Sequence, residues 1–206
     1  MFLEKYDLFI FDWDGTLSTS SALVKVTRFL KRRYNIDYVR AHKELYTIGS
    51  MKDVRKKEGR AKLYSLIYDI YSRFTRAELK PGAMELLKAL KKHRKKVAVF
   101  SDSNRHRLYI ETRKTNAVKY LDFILSADSI RSFKPDPAGI NTVIENFDVP
   151  KKRCLYIGDM AVDVFTAKFA GIGSCSVLDG LDPKDLLEKV GPDYFVEDLA
   201  DFADKL

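Results

Sequence analysis

The chain has 206 residues, 46% of them hydrophobic, and it carries 37 lysines and arginines against 29 aspartates and glutamates, a net charge of +8. This hydrophobic content argues against wholesale disorder, and the length suits one domain or a core with a small insertion. No apolar run reaches the ~18 residues that cross a bilayer, and no signal-peptide pattern opens the chain, so we expect a cytoplasmic, non-membrane protein. The two cysteines, Cys154 and Cys175, are too few for a disulfide framework, and we expect both to be buried thiols.

Short apolar runs alternate with helical patterns along most of the chain. The predicted strands cover residues 6–11, 97–100, 123–125, 154–157 and 174–178. The predicted helices cover residues 82–92, 104–115, 137–146, 162–170 and 183–190. Near-continuous apolar strands separated by helices are typical of a parallel sheet that is covered on both faces. The predicted fold class is therefore α/β, a Rossmann-like parallel sheet with helices on both faces.

One segment, residues 18–79, interrupts this alternation. It shows no convincing strand, and its apolar residues recur at helical spacing until "KPG" at 80–82 restores the strand–helix order. We predict an inserted α-helical cap at 18–79, with the core formed by residues 1–17 and 80–206. Within the cap, "TIGSMKDVR" at 47–55 breaks the helical periodicity and offers Lys52 and Arg55, which we expect to select substrates that carry a second anionic group.

Polar residues stand at the carboxyl ends of the predicted strands, where open α/β sheets gather their chemistry. In chain order they are Asp12, Asp14 and Thr16, then Ser101, Asp102 and Ser103, then Lys134 after a loop, and finally Gly158, Asp159 and Asp163. Parallel strands would bring these side chains to one edge of the sheet.

Such a set suits a phosphate site. Clustered carboxylates repel one another unless a cation compensates them, and all-oxygen ligands favour Mg²⁺. A carboxylate can also attack phosphorus and form an aspartyl-phosphate. Lys134 would balance the negative charge, Ser101 could donate to a phosphoryl oxygen, and Gly15 allows a sharp turn whose amides face an anion. These residues therefore indicate a phosphate site that contains its own nucleophile.

Four segments resemble, in the family's order, the four motifs of the haloacid dehalogenase superfamily. They are "FDWDGTL" at 11–17, "VAVFS" at 97–101, "FKPDP" at 133–137 and "YIGDMAVD" at 156–163. Two further stretches, "KPGAMELLKAL" at 80–90 and "FTAKFAG" at 165–171, resemble its phosphoglycolate-phosphatase-like branch. The resemblance implies a Mg²⁺-dependent phosphatase that hydrolyses a small phosphate monoester, a phosphorylated metabolite, through an aspartyl-phosphate.

The resemblance also implies roles for individual residues. Asp12 would be the nucleophile, and Asp14 would protonate the leaving oxygen and later activate water. Mg²⁺ would be held by Asp12, the backbone carbonyl of Asp14 and Asp159, with Asp163 in support. An aspartate at position 14 fits a phosphatase, since dehalogenases of the superfamily lack it and P-type ATPases carry threonine there.

Three positions complete the implied site. Ser101 and Lys134 would grip the transferring phosphoryl group. Asp102 departs from the family pattern, in which asparagine commonly follows the second motif's Ser or Thr. A carboxylate here would weaken anion binding or turn away from the site.

Several alternatives stand beside this interpretation. A calcium loop of the EF-hand type is excluded because Gly15 would occupy its fourth position instead of its sixth. A sugar-phosphate mutase of the same superfamily shares the motifs. A binding module with an idle site would use the basic segments "KKHRKK" at 91–96 and "KKR" at 151–153. These segments are expected opposite the site, where cations complement helix C-termini, so a nucleic-acid partner is not expected, and the chain would be a monomer or a homodimer.

Overall fold

The computed structural model describes residues 2–19 and 78–206. The strands are β1 (Leu8–Phe11), β2 (Ser18–Thr19), β3 (Glu78–Leu79), β4 (Lys96–Ser101), β5 (Phe123–Ser126), β6 (Cys154–Gly158), β7 (Gly173–Val177) and β8 (Tyr194–Val196). Six of them form a parallel sheet in the order β5-β4-β1-β6-β7-β8. The helices are α1 (Phe2–Lys5), α2 (Ala83–Lys92), α3 (Arg105–Lys114), α4 (Ala127–Ile130), α5 (Ala138–Phe147), α6 (Ala161–Ala170), α7 (Lys184–Val190) and α8 (Leu199–Asp204), with 3₁₀ turns at Ala117–Tyr120 and Lys151–Arg153.

The central strand β1 shows why the sheet is covered on both faces. All four of its residues are buried, and it pairs in parallel with both β4 and β6. Phe9 and Phe11 join the core cluster that includes residues of α2 and α8, whereas Leu8 and Ile10 join the cluster that includes residues of α5 and α6. Side chains of a strand alternate between the two faces of its sheet, so a continuous apolar strand feeds two cores. The predicted α/β fold class is confirmed.

The strand order places a crevice at the centre of the sheet. Strand β1 has β4 on one side and β6 on the other, and chain order runs outward from it in both directions. This reversal is a topological switch point, and ligands of open α/β sheets bind beyond the carboxyl ends of the strands at such a point. The residues after β1 and β6 therefore occupy the position at which a ligand is expected.

The two ends of the chain differ from the predicted elements. The predicted strand at 6–11 starts only at Leu8, because the amide of Tyr6 donates instead to the carbonyl of Phe2 at 2.9 Å. Strand β8 and helix α8 were not predicted from the sequence. Strand β8 has three residues, of which only Val196 is buried, and three residues are too few to show an alternating pattern.

Almost all of the predicted cap, residues 20–77, lies outside the described residues, and so do Lys52 and Arg55. Its two ends are described. Strand β2 pairs antiparallel with β3, with Ser18 opposite Leu79 and Thr19 opposite Glu78. The expectation that 18–79 contains no strand is therefore wrong at both ends, and the segment leaves and rejoins the core at adjacent points.

The two basic segments lie at the amino-terminal edge of the sheet. Lys95 lies 2.9 Å from Asp7, which precedes β1, and Arg153 also contacts Asp7. Lys91 lies 2.6 Å from Asp122. Several of the cations therefore form ion pairs on the side of the sheet away from the polar strand ends.

Two simpler expectations also concern the described residues. Both cysteines are buried and unpaired, as expected. No helix within residues 2–19 and 78–206 has both the length and the apolar character needed to cross a membrane.

Candidate active site

Three aspartates converge where β1 and β6 end. Asp12 follows β1 directly, and its amide donates to the carbonyl of Ile157 on β6 at 2.8 Å. Asp159 follows β6, and Asp163 lies in the first turn of α6. One carboxylate oxygen from each of the three lies within 4.8 Å of the others, and all three residues are buried. The polar strand ends thus meet as the parallel sheet requires.

Lys134 reaches this cluster from the loop between α4 and α5. Its Nζ lies 2.8 Å from Oδ1 of Asp12 and 2.7 Å from Oδ1 of Asp163, and its side chain is 4% exposed. Burial alone would lower the pKa of Lys134, but the carboxylates of Asp12 and Asp163 outweigh burial and hold this pKa well above its usual value. The lysine therefore remains an ammonium.

One ammonium does not balance three carboxylates. Burial raises the pKa of Asp12 well above its usual value, and the neighbouring Asp163 and Asp159 raise it further against the effect of Lys134. Burial likewise raises the pKa of Asp159 to about 7, again with a contribution from Asp163. The centre consequently has an excess of negative charge that a second cation would relieve.

Asp163 is built into the turn that carries the site. Its Oδ2 accepts hydrogen bonds from the amides of Asp159 at 3.1 Å and Met160 at 2.9 Å, while its Oδ1 accepts from Lys134. A Cβ at Gly158 would lie 2.3 Å from Cγ of Asp163, so the strand ends in glycine to admit this carboxylate. Asp163 thus orients both the loop of Asp159 and the lysine.

Asp159 is fully buried and held at both of its oxygens. Thr16 Oγ1 donates to its Oδ1 at 2.8 Å, and the amide of Leu181 donates to its Oδ2 at 2.7 Å. Two glycines surround it, since a Cβ would lie 2.3 Å from the carboxylate at Gly15 and 2.1 Å from Cβ of Asp159 at Gly180. Gly15 also has a φ of 87°, a conformation that favours glycine.

Leu181 and Gly180 were not foreseen as site residues. They follow β7, whose carboxyl end lies at the same edge of the sheet as those of β1 and β6. A glycine just after the predicted strand at 174–178 was the available signal, because glycine after a strand can mark a close approach of the backbone.

The carboxylate of Asp14 contacts different residues from those that the three clustered aspartates contact. Both of its oxygens bind the guanidinium of Arg107, with a distance of 3.1 Å from Nη1 to Oδ2, and Ser103 Oγ also donates to Oδ2. Arg107 comes from α3 and was not among the predicted site residues. The only hint of it was its spacing of four residues from Glu111, which it contacts at 2.8 Å.

Ser101 and Asp102 both adjoin this edge of the sheet. Ser101 ends β4, is 1% exposed, and accepts the amide of Ser103 on its Oγ at 3.1 Å. Oδ1 of Asp102 accepts the backbone amide of Lys134 at 3.1 Å. The carboxylate that departs from the family pattern therefore anchors the loop from which Lys134 reaches the centre.

The return strand of the insertion is also tied to the site. The buried Lys80, just after β3, donates from Nζ to the carbonyl of Gly15 at 3.0 Å and forms an ion pair with Asp179 after β7. The point at which residues 20–77 rejoin the core is therefore linked directly to the loops around Asp159.

Comparisons with known proteins agree with this architecture. Residues 9–177 match the family model described as haloacid dehalogenase-like hydrolase. The plasmid-encoded phosphoglycolate phosphatase of Cupriavidus necator is 30% identical over 58% of this chain and 52% of its own length, so the chain spans about half of that relative. The pyrophosphatase PpaX of Oceanobacillus iheyensis is 21% identical over 93% of this chain and 92% of its own. The solved structure of a HAD-superfamily hydrolase from Ehrlichia chaffeensis matches with a TM-score of 0.66 at 23% sequence identity, and the match covers 98% of this chain and 96% of that chain. This likeness shows the fold.

Proposed function

Because this chain belongs to the haloacid dehalogenase-like hydrolases, we propose that it is a Mg²⁺-dependent phosphatase that hydrolyses a small phosphate monoester through an aspartyl-phosphate on Asp12. One observation carries the proposal. The buried Asp12 carboxylate stands at the switch point of the sheet, 2.8 Å from Lys134 and close to two further carboxylates. The relatives named as a phosphoglycolate phosphatase and a pyrophosphatase lend it support.

The donor set fits Mg²⁺. Hard divalent cations take oxygen ligands, and Mg²⁺ commonly binds one or two carboxylates together with a substrate phosphate. Asp12, Asp159 and the backbone carbonyl of Asp14 would hold the ion, with Asp163 in support, and glycines leave room around Asp159. When bound, Mg²⁺ would offset the charge of the carboxylates and of the phosphoryl oxygens.

The first step would transfer the phosphoryl group to the enzyme. A carboxylate oxygen of Asp12 forms a bond to phosphorus while the bond from phosphorus to the ester oxygen breaks. Lys134, held by Asp12 and Asp163, stabilises the charge that develops on the phosphoryl oxygens, and Ser101 donates a hydrogen bond to one of them. Asp14 gives its proton to the departing oxygen.

The second step would release phosphate. Water attacks the phosphorus of the aspartyl-phosphate and passes its proton to Asp14, while the bond from phosphorus to Asp12 breaks. The enzyme then returns to its starting state with a proton on Asp14. We further propose that the segment 18–79 selects the substrate, because the residues assigned to chemistry all lie on the core and would treat phosphate monoesters alike.

A substrate panel with Mg²⁺ tests this function. Release of inorganic phosphate from 2-phosphoglycolate, pyrophosphate and sugar phosphates would be measured with Mg²⁺ and with excess chelator, with Asp12→Asn as the inactive control. Mg²⁺-dependent phosphate release that disappears in the variant supports the proposal. Full turnover in chelator contradicts it.

The same samples separate the alternatives. A mutase returns the phosphoryl group to the substrate, so it would yield an isomeric phosphate ester with little free phosphate. A binding module with an idle site would show no turnover and a salt-sensitive interaction with a polyanion. Product analysis by phosphorus NMR distinguishes these results.

A further inference from the structure

A buried network of side chains joins Asp14 to helix α3. Arg107 binds both oxygens of Asp14 through Nη1 and Nη2, and its side chain is only 9% exposed. Its Nε donates to Oε1 of Glu111 at 2.8 Å. Glu111 Oε2 in turn accepts the indole Nε1 of Trp13 at 2.7 Å. Glu111 therefore holds the arginine and the residue that precedes Asp14 at the same time.

A second contact limits the carboxylate further. Ser103 Oγ donates to Oδ2 of Asp14, and Nη1 of Arg107 lies 3.1 Å from the same Ser103 oxygen. The guanidinium is a rigid planar fork, and a two-point contact with a carboxylate fixes orientation as well as distance. With Trp13 fully buried behind it, the side chain of Asp14 is oriented from the helix as well as from its own loop.

Stability alone is a weak reason for such an arrangement. Burying ions costs solvation, and apolar side chains of similar volume often serve a core as well or better. The network places the ion pair of Arg107 and Glu111, together with the carboxyl group of Asp14, beside the fully buried Trp13. What the charges achieve, and apolar residues would not, is a defined direction for the carboxylate of Asp14.

We propose that Arg107 is a positioning residue that fixes the carboxylate of Asp14 for proton transfer. The inference rests on the proposed function, in which Asp14 protonates the leaving oxygen. Glu111 and Ser103 hold the arginine and the carboxylate in register. Because proton transfer depends on close alignment, loosening the fork should slow the reaction of substrates that need an acid and spare those that do not.

Two aryl phosphates of similar shape test this dependence. Phenyl phosphate releases a basic phenolate that benefits from protonation, whereas 4-nitrophenyl phosphate releases a stable anion. The Arg107→Lys variant keeps the charge but loses the fork. In this variant we expect the release of phenol from phenyl phosphate, measured before the steady state, to slow about 10- to 100-fold. The release of 4-nitrophenol from 4-nitrophenyl phosphate should change little. Arg113→Lys, the same substitution at an exposed site on the same helix, should match wild type.

A double-mutant cycle asks whether Arg107 acts through Asp14. With phenyl phosphate, Arg107→Lys should cause no further loss in the rate of phenol release once Asp14→Asn is present. Glu111→Gln supplies a second variant that retains most of the network. It should show the same substrate pattern with a smaller loss, because a neutral amide has only one acceptor oxygen for two donors.

The outcomes are distinct. Loss confined to phenyl phosphate, with no added loss in the Asp14→Asn background, supports the inference. The inference would be overturned by an equal loss on both substrates, by additive losses in the cycle, or by an unchanged or faster rate in Arg107→Lys. None of these results would contradict the proposed phosphatase function. If Asp14→Asn retains the full rate on both substrates, the proposed role of Asp14 is wrong and the inference fails with it.

Discussion

Replacing Lys134 with methionine removes an ammonium from a buried centre and leaves most of the side-chain volume in place. Lys134 lies within 2.8 Å of Asp12 and 2.7 Å of Asp163, and Asp159 completes the group of buried carboxylates. Removing one partner of a buried ion pair costs about 3–5 kcal/mol. For a chain of this size, each kcal/mol lowers the melting temperature by about 2–4 °C, so we expect a decrease of roughly 6–20 °C in chelator.

The variant should also depend on Mg²⁺ and on pH in a characteristic way. A bound cation would restore part of the missing positive charge, so Mg²⁺ should raise the melting temperature of Lys134→Met more than that of wild type. The burial that raises the pKa of Asp12 makes protonation the other route to relief. The loss of stability should therefore be smaller at pH 5 than at pH 8.

Calorimetry with and without Mg²⁺, together with phosphate release, measures both effects. Turnover should fall on the order of 10³-fold, since Lys134 would act on charge that develops in the transition state. Lys184→Met is the matched control, because Lys184 is 58% exposed and lies 3.8 Å from Glu197 in a loose pair. This account of the centre would be refuted if Lys134→Met had the melting temperature of wild type in chelator and released phosphate at a rate similar to that of wild type.

Three further changes test the remaining residues of the centre. Asp12→Asn should abolish phosphate release while the melting temperature stays at or above that of wild type, and mass spectrometry would exclude deamidation; appreciable turnover would disprove the nucleophile. In metal-free wild type, the stability contributed by Asp159 should be full below its ordinary pKa of 3.8 and lost as pH rises through its folded value of about 7. Asp159→Asn should flatten this profile in thermal melts and raise the Mg²⁺ concentration needed for activity, and an unchanged profile would show that the carboxylate is not perturbed. Gly180→Ala places a Cβ 2.1 Å from Cβ of Asp159 and should weaken Mg²⁺ binding by calorimetric titration, whereas undiminished affinity would mean that the loop yields.

The cluster at the centre could be foreseen because it depends on strand ends alone. Asp12 and Asp159 each follow a short apolar run directly, and Asp163 lies one helical turn further on. In a parallel sheet the carboxyl ends of the strands share one edge, so placing the strands is enough to bring these residues together. Lys134 was placed through its motif. The roles of these residues in catalysis remain predictions.

Other expectations about secondary structure failed where local signals are weak. Tyr6 continues an apolar run, yet its amide closes a turn onto Phe2. Strand β8 has three residues and one buried side chain, so its place at the edge of the sheet comes from pairing with β7. Periodicity needs several residues to show itself, and a short edge strand does not supply them.

The sequence by itself determined the parallel sheet, the helices on its two faces and the edge where the acidic residues meet. Apolar runs mark the buried strands, and their alternation with helical patterns along the chain predicts parallel pairing. Only the tertiary structure showed that Arg107 of α3 reaches Asp14, that Asp102 anchors the backbone of Lys134, and that the amide of Leu181 holds Asp159. These contacts join residues that are 93, 32 and 22 positions apart. Such contacts depend on how a helix rotates on the sheet and where a long side chain ends, and neither follows from the spacing of residues within a single element.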